Sequence, residues 1–267
     1  MRRRAKLGAR LYLALVLLLM YLPVFVVILY SFNANAGRQP IAFTGFSLRN
    51  YAALFRDTRG LVESLKTSLV LALMSVSAAV VIGTLGAVGM ARRRFRFSGA
   101  LETVTVLPVM IPEIILAVAF MALFTAAGLR FGMGTLVLAH ITFCTPYVFL
   151  LVKGRLAGMD ADLEAAARDL GASPARAFLS VTLPQILPGV FSGAMLAFAM
   201  SMDDFVISFF VTGSNVNPLP LRIYSSVKTG VSLQVNALCT LMLVFVFIVA
   251  GVGLFRPARR KKTEVFK

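Results

Sequence analysis

The chain has 267 residues, of which 59% are hydrophobic and 14% are charged, and its formal net charge is +16 at pH 7. Soluble domains carry about a quarter charged residues, so this composition and the mean hydropathy of +0.86 exclude an ordinary soluble domain. A transmembrane helix needs about 20 predominantly apolar residues. Six stretches meet that requirement, at about 11–31, 65–90, 101–125, 133–152, 188–211 and 235–255. Strand-like alternation is absent, and open sheets leave unsatisfied edges in lipid. We therefore predict an all-α integral membrane protein with six transmembrane helices, forming a single domain over residues 1–267.

The basic residues are concentrated in alternate loops. The segments 2–10, 92–96, 153–176 and 256–267 together hold 19 of the 27 Lys and Arg residues. Because loops rich in Lys and Arg stay on the cytoplasmic side, we predict that both termini are cytoplasmic. Basic segments on the cytoplasmic side are attracted to anionic membrane lipid. This explains the positive net charge, so no nucleic-acid partner is expected.

The first apolar stretch follows four basic residues within positions 2–6 and precedes Ala34-Asn35-Ala36, as in a secretory signal peptide. The apolar region of a signal peptide runs about 7–15 residues, whereas Leu11–Tyr30 spans 20. We therefore predict that this first helix is retained.

Glu113 lies in the third stretch, where hydrocarbon would surround its charge. An acidic residue at the centre of a membrane helix costs about 2.5–3.5 kcal/mol on insertion scales, so its presence indicates a role or a partner. At about 1.5 Å per residue from a helix start near Leu101, Glu113 is predicted near the membrane midplane. His140 is the only histidine and the two cysteines, Cys144 and Cys239, fall inside predicted helices. We expect packed side chains there, with no disulfide, metal or cofactor.

The segment "LEAAARDLGASPARAFLSVTLP", residues 163–184, interrupts the apolar stretches. Helical spacing of small and apolar residues predicts a short helix that ends at Gly171, a residue suited to the left-handed position after a helix. Ser173 and Pro174 then suit the N-cap and first position of a second short helix, which we predict to stop before Pro184. Such a small-residue surface suits close contact with a partner protein. An ordinary amphipathic connector is the alternative.

This segment resembles the cytoplasmic coupling loop of permease subunits in binding-protein-dependent ABC importers. The family pattern is Glu-Ala-Ala, three residues, Gly, nine residues, a branched aliphatic residue, one residue, then Leu-Pro. The residues that match its spacing are Ala166, Ala167, Gly171, Val181, Leu183 and Pro184. Ala165 stands where the family has Glu, and we expect Glu164 to substitute for it from a position about 100° round the helix.

A phosphate-binding loop of the G-x-x-x-x-G-K-[ST] type is absent, since the chain has no Gly-Lys dipeptide. The resemblance therefore implies a non-catalytic subunit with the type I ABC importer permease architecture. It also implies a separate cytoplasmic ATPase that receives the coupling loop, which we take as residues 153–187.

Two adjacent acids, Asp203 and Asp204, lie in the fifth stretch within "SMDDFVISFF". Neighbouring residues on a helix point about 100° apart, so one of the two aspartates is predicted to face a central pathway. No Lys or Arg lies in the core of this helix or that of Glu113. Carboxylates bind ammonium groups through charge-assisted hydrogen bonds, and Phe205 offers a cation–π face. The acids therefore predict a cationic solute. Hydrogen bonding between helices, and core packing of Phe205, are the alternatives.

Four further segments, "PVMIPEI", "HITFCTPYV", "SMDDFVISFFVTG" and "LPLRIYSSVKTGVSLQVNAL", resemble the spermidine/putrescine permease branch of these importers. The likeness runs from about Leu11 to Leu254. It implies polyamine uptake across the bacterial inner membrane with a second related permease, two ATPase subunits and a periplasmic solute-binding protein. A permease for another cationic or organic solute is one alternative. A proton-coupled secondary transporter, with Glu113 and the aspartates as the relay, is the other.

Overall fold

A computed structural model describes residues 2–35, 42–56, 60–92, 96–160, 162–228, 230 and 232–255. Within these ranges the chain is helical apart from loops and one isolated β-bridge between Asn33 and Phe46, which confirms the all-α prediction. The helices are α1 (Arg2–Ser31), α2 (Arg49–Phe55), α3 (Leu61–Arg92), α4 (Ser98–Met110), α5 (Glu113–Ala126), α6 (Met133–Ala157), α7 (Asp162–Asp169), α8 (Pro174–Ala177), α9 (Leu183–Asp203), α10 (Val206–Val211), α11 (Leu219–Lys228) and α12 (Leu233–Phe255). A π-helical turn, Phe178–Thr182, joins α8 to α9.

Four helices in the described ranges are long and apolar enough to cross a membrane, and the bent pair α4–α5 makes a fifth if it counts as one span. The four are Gly8–Ser31 within α1, then α3, α6 and the continuous helix Pro174–Asp203. The sixth predicted span coincides with α12. Its described apolar part, Leu233–Ile248, is shorter than the 18 residues required of a membrane span. The count of six therefore stays a prediction.

The third predicted span is not one straight helix. Its two halves, α4 and α5, meet at an angle of 110°. Ile111 at the break is extended, with φ −81° and ψ 135°, because a residue that precedes proline is pushed out of the helical region. Glu113 consequently begins α5 and does not lie in the middle of a continuous helix, which corrects the sequence prediction.

The fifth predicted span begins earlier than expected and ends sooner. The second short helix of the coupling loop continues past Pro184 into α9, so the prediction that it stops there is wrong. The reason is the π turn: the Leu183 N–H donates to the Phe178 carbonyl, five residues back. This wider turn accommodates a proline that lacks an N–H. At the other end, the chain leaves the helix at Asp204 and starts α10 at Val206.

The described chain forms two compact units, Met1–Val62 with Ser225–Lys267, and Glu63–Tyr224. In the first unit α12 packs on α1 and α2. The Asn50 side-chain amide donates to the carbonyls of Ser31, at 3.0 Å, and Asn33, at 2.9 Å. These bonds join α2 to the end of α1. The prediction of one domain over the whole chain is not tested by this division and stays a prediction.

The second unit is organised around α6, which packs extensively on α9. Glycines on two neighbours permit close approach of the backbones. A Cβ at Gly193 of α9 would lie 2.9 Å from the Val148 Cα, and a Cβ at Gly83 of α3 would lie 2.9 Å from the Val148 Cβ. Small residues at helix interfaces allow this packing in membranes, where no hydrophobic force drives helices together. Val148 is thus fully buried between α3 and α9.

Candidate functional site

The loop between α9 and α10 places two aspartates in different surroundings. Asp203 is the last residue of α9 and is exposed, whereas only 4% of Asp204 is exposed. The Asp204 carboxylate accepts hydrogen bonds from the backbone N–H groups of Ile207, at 3.0 Å, and Ser208, at 2.8 Å. The Ser208 hydroxyl donates to it as well, at 2.7 Å. A carboxylate at this position satisfies free N–H groups at the start of a helix, so Asp204 holds α10 in place.

His140 of α6 completes the surroundings of Asp204. Its Nε2 lies 3.2 Å from Asp204 Oδ2, and its Nδ1 lies 2.9 Å from the Ser201 hydroxyl. The Ser201 hydroxyl in turn lies 3.4 Å from that of Ser75 in α3. All four side chains are buried. This polar network links α3, α6, α9 and α10, and it agrees with the expectation that His140 is packed and hydrogen-bonded.

Glu113 begins α5 beside this network and is half-buried. Helix α5, which Glu113 begins, packs on α10, whose first N–H groups bond to the Asp204 carboxylate. Neighbouring carboxylates repel each other, and a cation between them relieves that repulsion. The N-terminal position is favourable for a carboxylate, since the helix dipole is positive there. Glu113 is therefore placed to bind a positive charge.

Phe205 lies between the aspartates and an aromatic cluster. Its ring centroid is 4.5 Å from that of Tyr224 and 5.6 Å from that of Phe209. Aromatic pairs at such distances stabilise packing, so Phe205 has the packed surroundings that the alternative interpretation expected. Phe205 as a whole is half-buried.

The structure brings Glu113, Asp203, Asp204 and Phe205 together because α5 packs on α10. Two helix breaks lie near these residues, one between α4 and α5 and the other between α9 and α10. Sequence reasoning missed the partner of Asp204, because it looked for Lys or Arg on the same helices and the partner is His140 on α6. Pro112 and the double aspartate were the available signals of the two breaks. A role for these acids on a transport pathway stays a prediction.

The coupling loop has the predicted turn. Gly171 adopts φ +88°, and the Ala172 N–H donates to the Ala167 carbonyl at 3.0 Å. The Ser173 hydroxyl caps α8 by accepting from the Arg176 N–H at 3.3 Å, and Pro174 is the first residue of the helix. The predicted turn, N-cap and first helical residue are confirmed.

The predicted contact residues of this loop lie largely at its surface. Ala165, Ala166, Gly171 and Pro184 are exposed, and Glu164, Ala167 and Leu183 are half-buried. Leu170 is 90% exposed at the turn. Beside it lies a shallow cavity of about 360 Å³ lined by Ala165, Arg168, Asp169, Ala172 and Pro174.

Replacing Asp204 with alanine is expected to destabilise the protein. The change leaves the N–H groups of Ile207 and Ser208 without their acceptor, and a buried group left unsatisfied costs about 1–3 kcal/mol. The melting temperature of the purified protein in detergent measures this loss. Asp203→Ala is the matched control, because it removes the same group from an exposed position, where substitutions change stability by about 0.5 kcal/mol or less. Equal melting temperatures for the two variants would contradict the assignment of Asp204 as the anchor of α10.

Comparison with known proteins gives two kinds of likeness. The chain is 37% identical over 253 residues to the putrescine transport system permease protein PotI of Escherichia coli (strain K12), covering 92% of this chain and 89% of the relative. It is 40% identical over 225 residues to the spermidine/putrescine transport system permease protein PotC of Haemophilus influenzae, covering 84% and 86%. Its fold matches a crystal structure of a bacterial ABC transporter that imports alginate, with a TM-score of 0.75, 15% identity and coverage of 94% and 96%.

The family model of the binding-protein-dependent transport system inner membrane component matches residues 79–259. That range contains the two helix breaks, the acids beside them and the coupling loop. The match favours an importer subunit over the secondary transporter considered from the sequence. The chain therefore belongs to the family of inner membrane components of binding-protein-dependent transport systems.

Proposed function

We propose that this chain is a permease subunit of an ATP-driven importer that takes up polyamines delivered by a periplasmic binding protein. The observation that carries the proposal is the meeting of Glu113, Asp203 and Asp204 at two adjacent helix breaks. The names of the relatives, which refer to putrescine and to spermidine/putrescine transport, favour polyamines over other cationic solutes.

The chemistry of the breaks supports a cationic solute. An ammonium group that leaves water loses hydrogen bonds, which carboxylates replace with stronger charge-assisted ones. An anionic solute would be repelled by the same acids. Asp204 is already bonded to α10 and to His140, whereas Asp203 is exposed. We therefore assign the first contact with the solute to Asp203 and the next to Glu113, with the partly exposed Phe205 ring beside them.

The assembly proposed is that of a type I ABC importer in the inner membrane. The chain would pair with a second related permease and with two cytoplasmic ATPase subunits, and a periplasmic binding protein would deliver the solute. Six spans with both termini in the cytoplasm agree with the basic clusters at 2–10, 92–96, 153–176 and 256–267. The same orientation places the coupling loop on the side of the ATPase.

The proposed mechanism is alternating access. Closure of the ATPase subunits on ATP would move the coupling loop and open the cavity between the permeases to the outside. Because α8, the π turn and α9 form one continuous helix, movement of the loop reaches the end of α9, where Asp203 lies. The released solute would then pass the acids before the cavity reopens to the cytoplasm.

Uptake by the reconstituted complex tests the proposal. The chain is co-expressed with the proposed second permease and ATPase subunits and reconstituted in proteoliposomes. The binding protein and labelled putrescine or spermidine are added outside. We expect uptake that requires ATP inside the vesicles, and no ATP hydrolysis by this chain alone. Uptake that is driven by a pH gradient and persists without ATP would contradict the proposal.

The acids at the breaks are expected to set the affinity for the solute in transit. Asp203→Asn and Glu113→Gln keep the shape of the side chain but remove its charge. Loss of one charged hydrogen bond, about 1.5–3 kcal/mol, should lower the apparent affinity for the polyamine about 10- to 100-fold. Asp203→Glu, which keeps the charge, is the control and should retain more of the uptake. If both amide variants transport like the parent at equal abundance in the membrane, the acids have only a structural role.

The turn at Gly171 is expected to be essential for coupling to the ATPase. Valine resists a positive φ, and no atom lies within 4 Å of a Cβ built at this position, so Gly171→Val tests the backbone conformation without a steric clash. Uptake should fall while insertion into the membrane is unchanged. Gly171→Asn is the control, because asparagine tolerates the left-handed region. Normal uptake with the ATPase still bound to the Val variant would show that this loop is not the coupling element.

A further inference from the structure

Three side chains from separate elements meet where α3 ends. Arg92, in the last turn of α3, places its Nη2 2.5 Å from Oε2 of Glu164 on α7. The Thr182 hydroxyl, in the π turn, donates to the same carboxylate oxygen at 2.5 Å, and Arg92 Nη2 lies 3.4 Å from that hydroxyl. The Arg92 guanidinium also lies over the ring of Phe178, 4.9 Å from its centroid. One arginine thus contacts both α7 and the π turn.

This contact does more than a surface ion pair. An isolated exposed pair contributes little to stability, but here the carboxylate has a second donor, and Thr182 is only 2% exposed. The guanidinium is also covered on one side by an aromatic ring, which adds a cation–π contact. These extra partners restrict the geometry of the pair, so its effect is to fix the position of α7.

Helix α7 depends on that contact for its position. It buries none of its residues, and a helix of eight residues is too short to be stable by itself in water. Glu164 reaches Arg92 because it stands one residue before Ala165, the position where the family pattern has its acid. The carboxylate therefore faces the end of α3 and the π turn.

We infer that Arg92 and Glu164 form a latch that transmits movement of the coupling loop to α3. The loop is already continuous with α9 through the π turn, and the latch adds a second connection, to a different span. With both connections, displacement of α7 moves α3 and α9 together. Arg92 is thus a positioning residue for coupling, and this inference rests on the proposed function of the loop as the ATPase contact.

Charge exchange in the reconstituted complex tests the latch. The variants are Arg92→Gln, Glu164→Gln and the double exchange Arg92→Glu with Glu164→Arg. The measurements are ATPase retention, stimulation of ATP hydrolysis by the binding protein, and labelled polyamine imported per ATP hydrolysed. Single residues in a coupling network change coupling about 2- to 30-fold. We expect each single variant to keep the ATPase bound but to lose import per ATP within that range, and the double exchange to recover most of the loss.

One control matches the charge changes. Arg96→Gln removes a positive charge from the same basic segment, where Arg96 lies over Phe97 at 6.0 Å. This variant should couple like the parent, because Arg96 does not join α7 to α3.

The outcomes separate the latch from the proposed function. Parent-like import per ATP in both single variants overturns the latch, and so does a double exchange that recovers nothing while the ATPase stays bound. Loss of ATPase binding in both single variants assigns the pair to docking and overturns the latch too. If the parent complex imports no polyamine, the proposed substrate is wrong, and the latch is then judged by how strongly the binding protein stimulates ATP hydrolysis. Weaker stimulation in the single variants that returns in the double exchange supports the latch. Stimulation equal to that of the parent in the single variants overturns it.

Discussion

A helix that breaks inside the hydrocarbon exposes backbone N–H and C=O groups that lipid cannot satisfy, and much of the second unit depends on how Asp204 meets this constraint. The carboxylate takes the N–H groups at the start of α10, while His140 and Ser208 supply further partners to its oxygens. An ion pair or polar network buried in this way is stable only when every member has a partner. The network therefore supplies hydrogen-bond partners to the backbone groups that the break between α9 and α10 leaves without helical ones.

The interruption in turn gives the two adjacent aspartates different surroundings. If α9 ran straight through residues 204 and 205, Asp203 and Asp204 would be two unsatisfied acids on one helix. Because of the break, Asp204 is buried and hydrogen-bonded to α10, whereas Asp203 is exposed at the end of α9. Discontinuous helices whose ends line a cavity are a general way to place charge within a membrane. Hydrogen bonds to Asp204 offset the cost of this break.

The position of the coupling loop is set by its connections to other helices and not by burial. Its small, exposed residues have few contacts of their own, so the loop takes its position from the elements that it joins. The π turn makes α8 and α9 one helix, and Arg92 with Glu164 connects α7 to α3. A loop held at both ends transmits displacement more directly than a flexible connector. Pro184 is compatible with this continuity because the wider turn before it changes the hydrogen-bond register.

The sequence by itself determined the membrane class, the apolar spans, the position of the Gly171 turn and the family resemblance. These follow from local properties: apolar length, distribution of charge, and residues that favour caps or a positive φ. The sequence did not predict that 101–125 bends by 110°, that 188–211 is interrupted at Asp204, or that the helix at Pro174 runs on past Pro184. The helix breaks before Pro112 but continues through Pro184. The difference is the π turn before Pro184, in which the Leu183 N–H donates to the Phe178 carbonyl, whereas Ile111 before Pro112 is extended. The tertiary structure likewise decided that Asp204 meets His140 and that Glu164 meets Arg92, since each pair joins helices that are far apart in the chain.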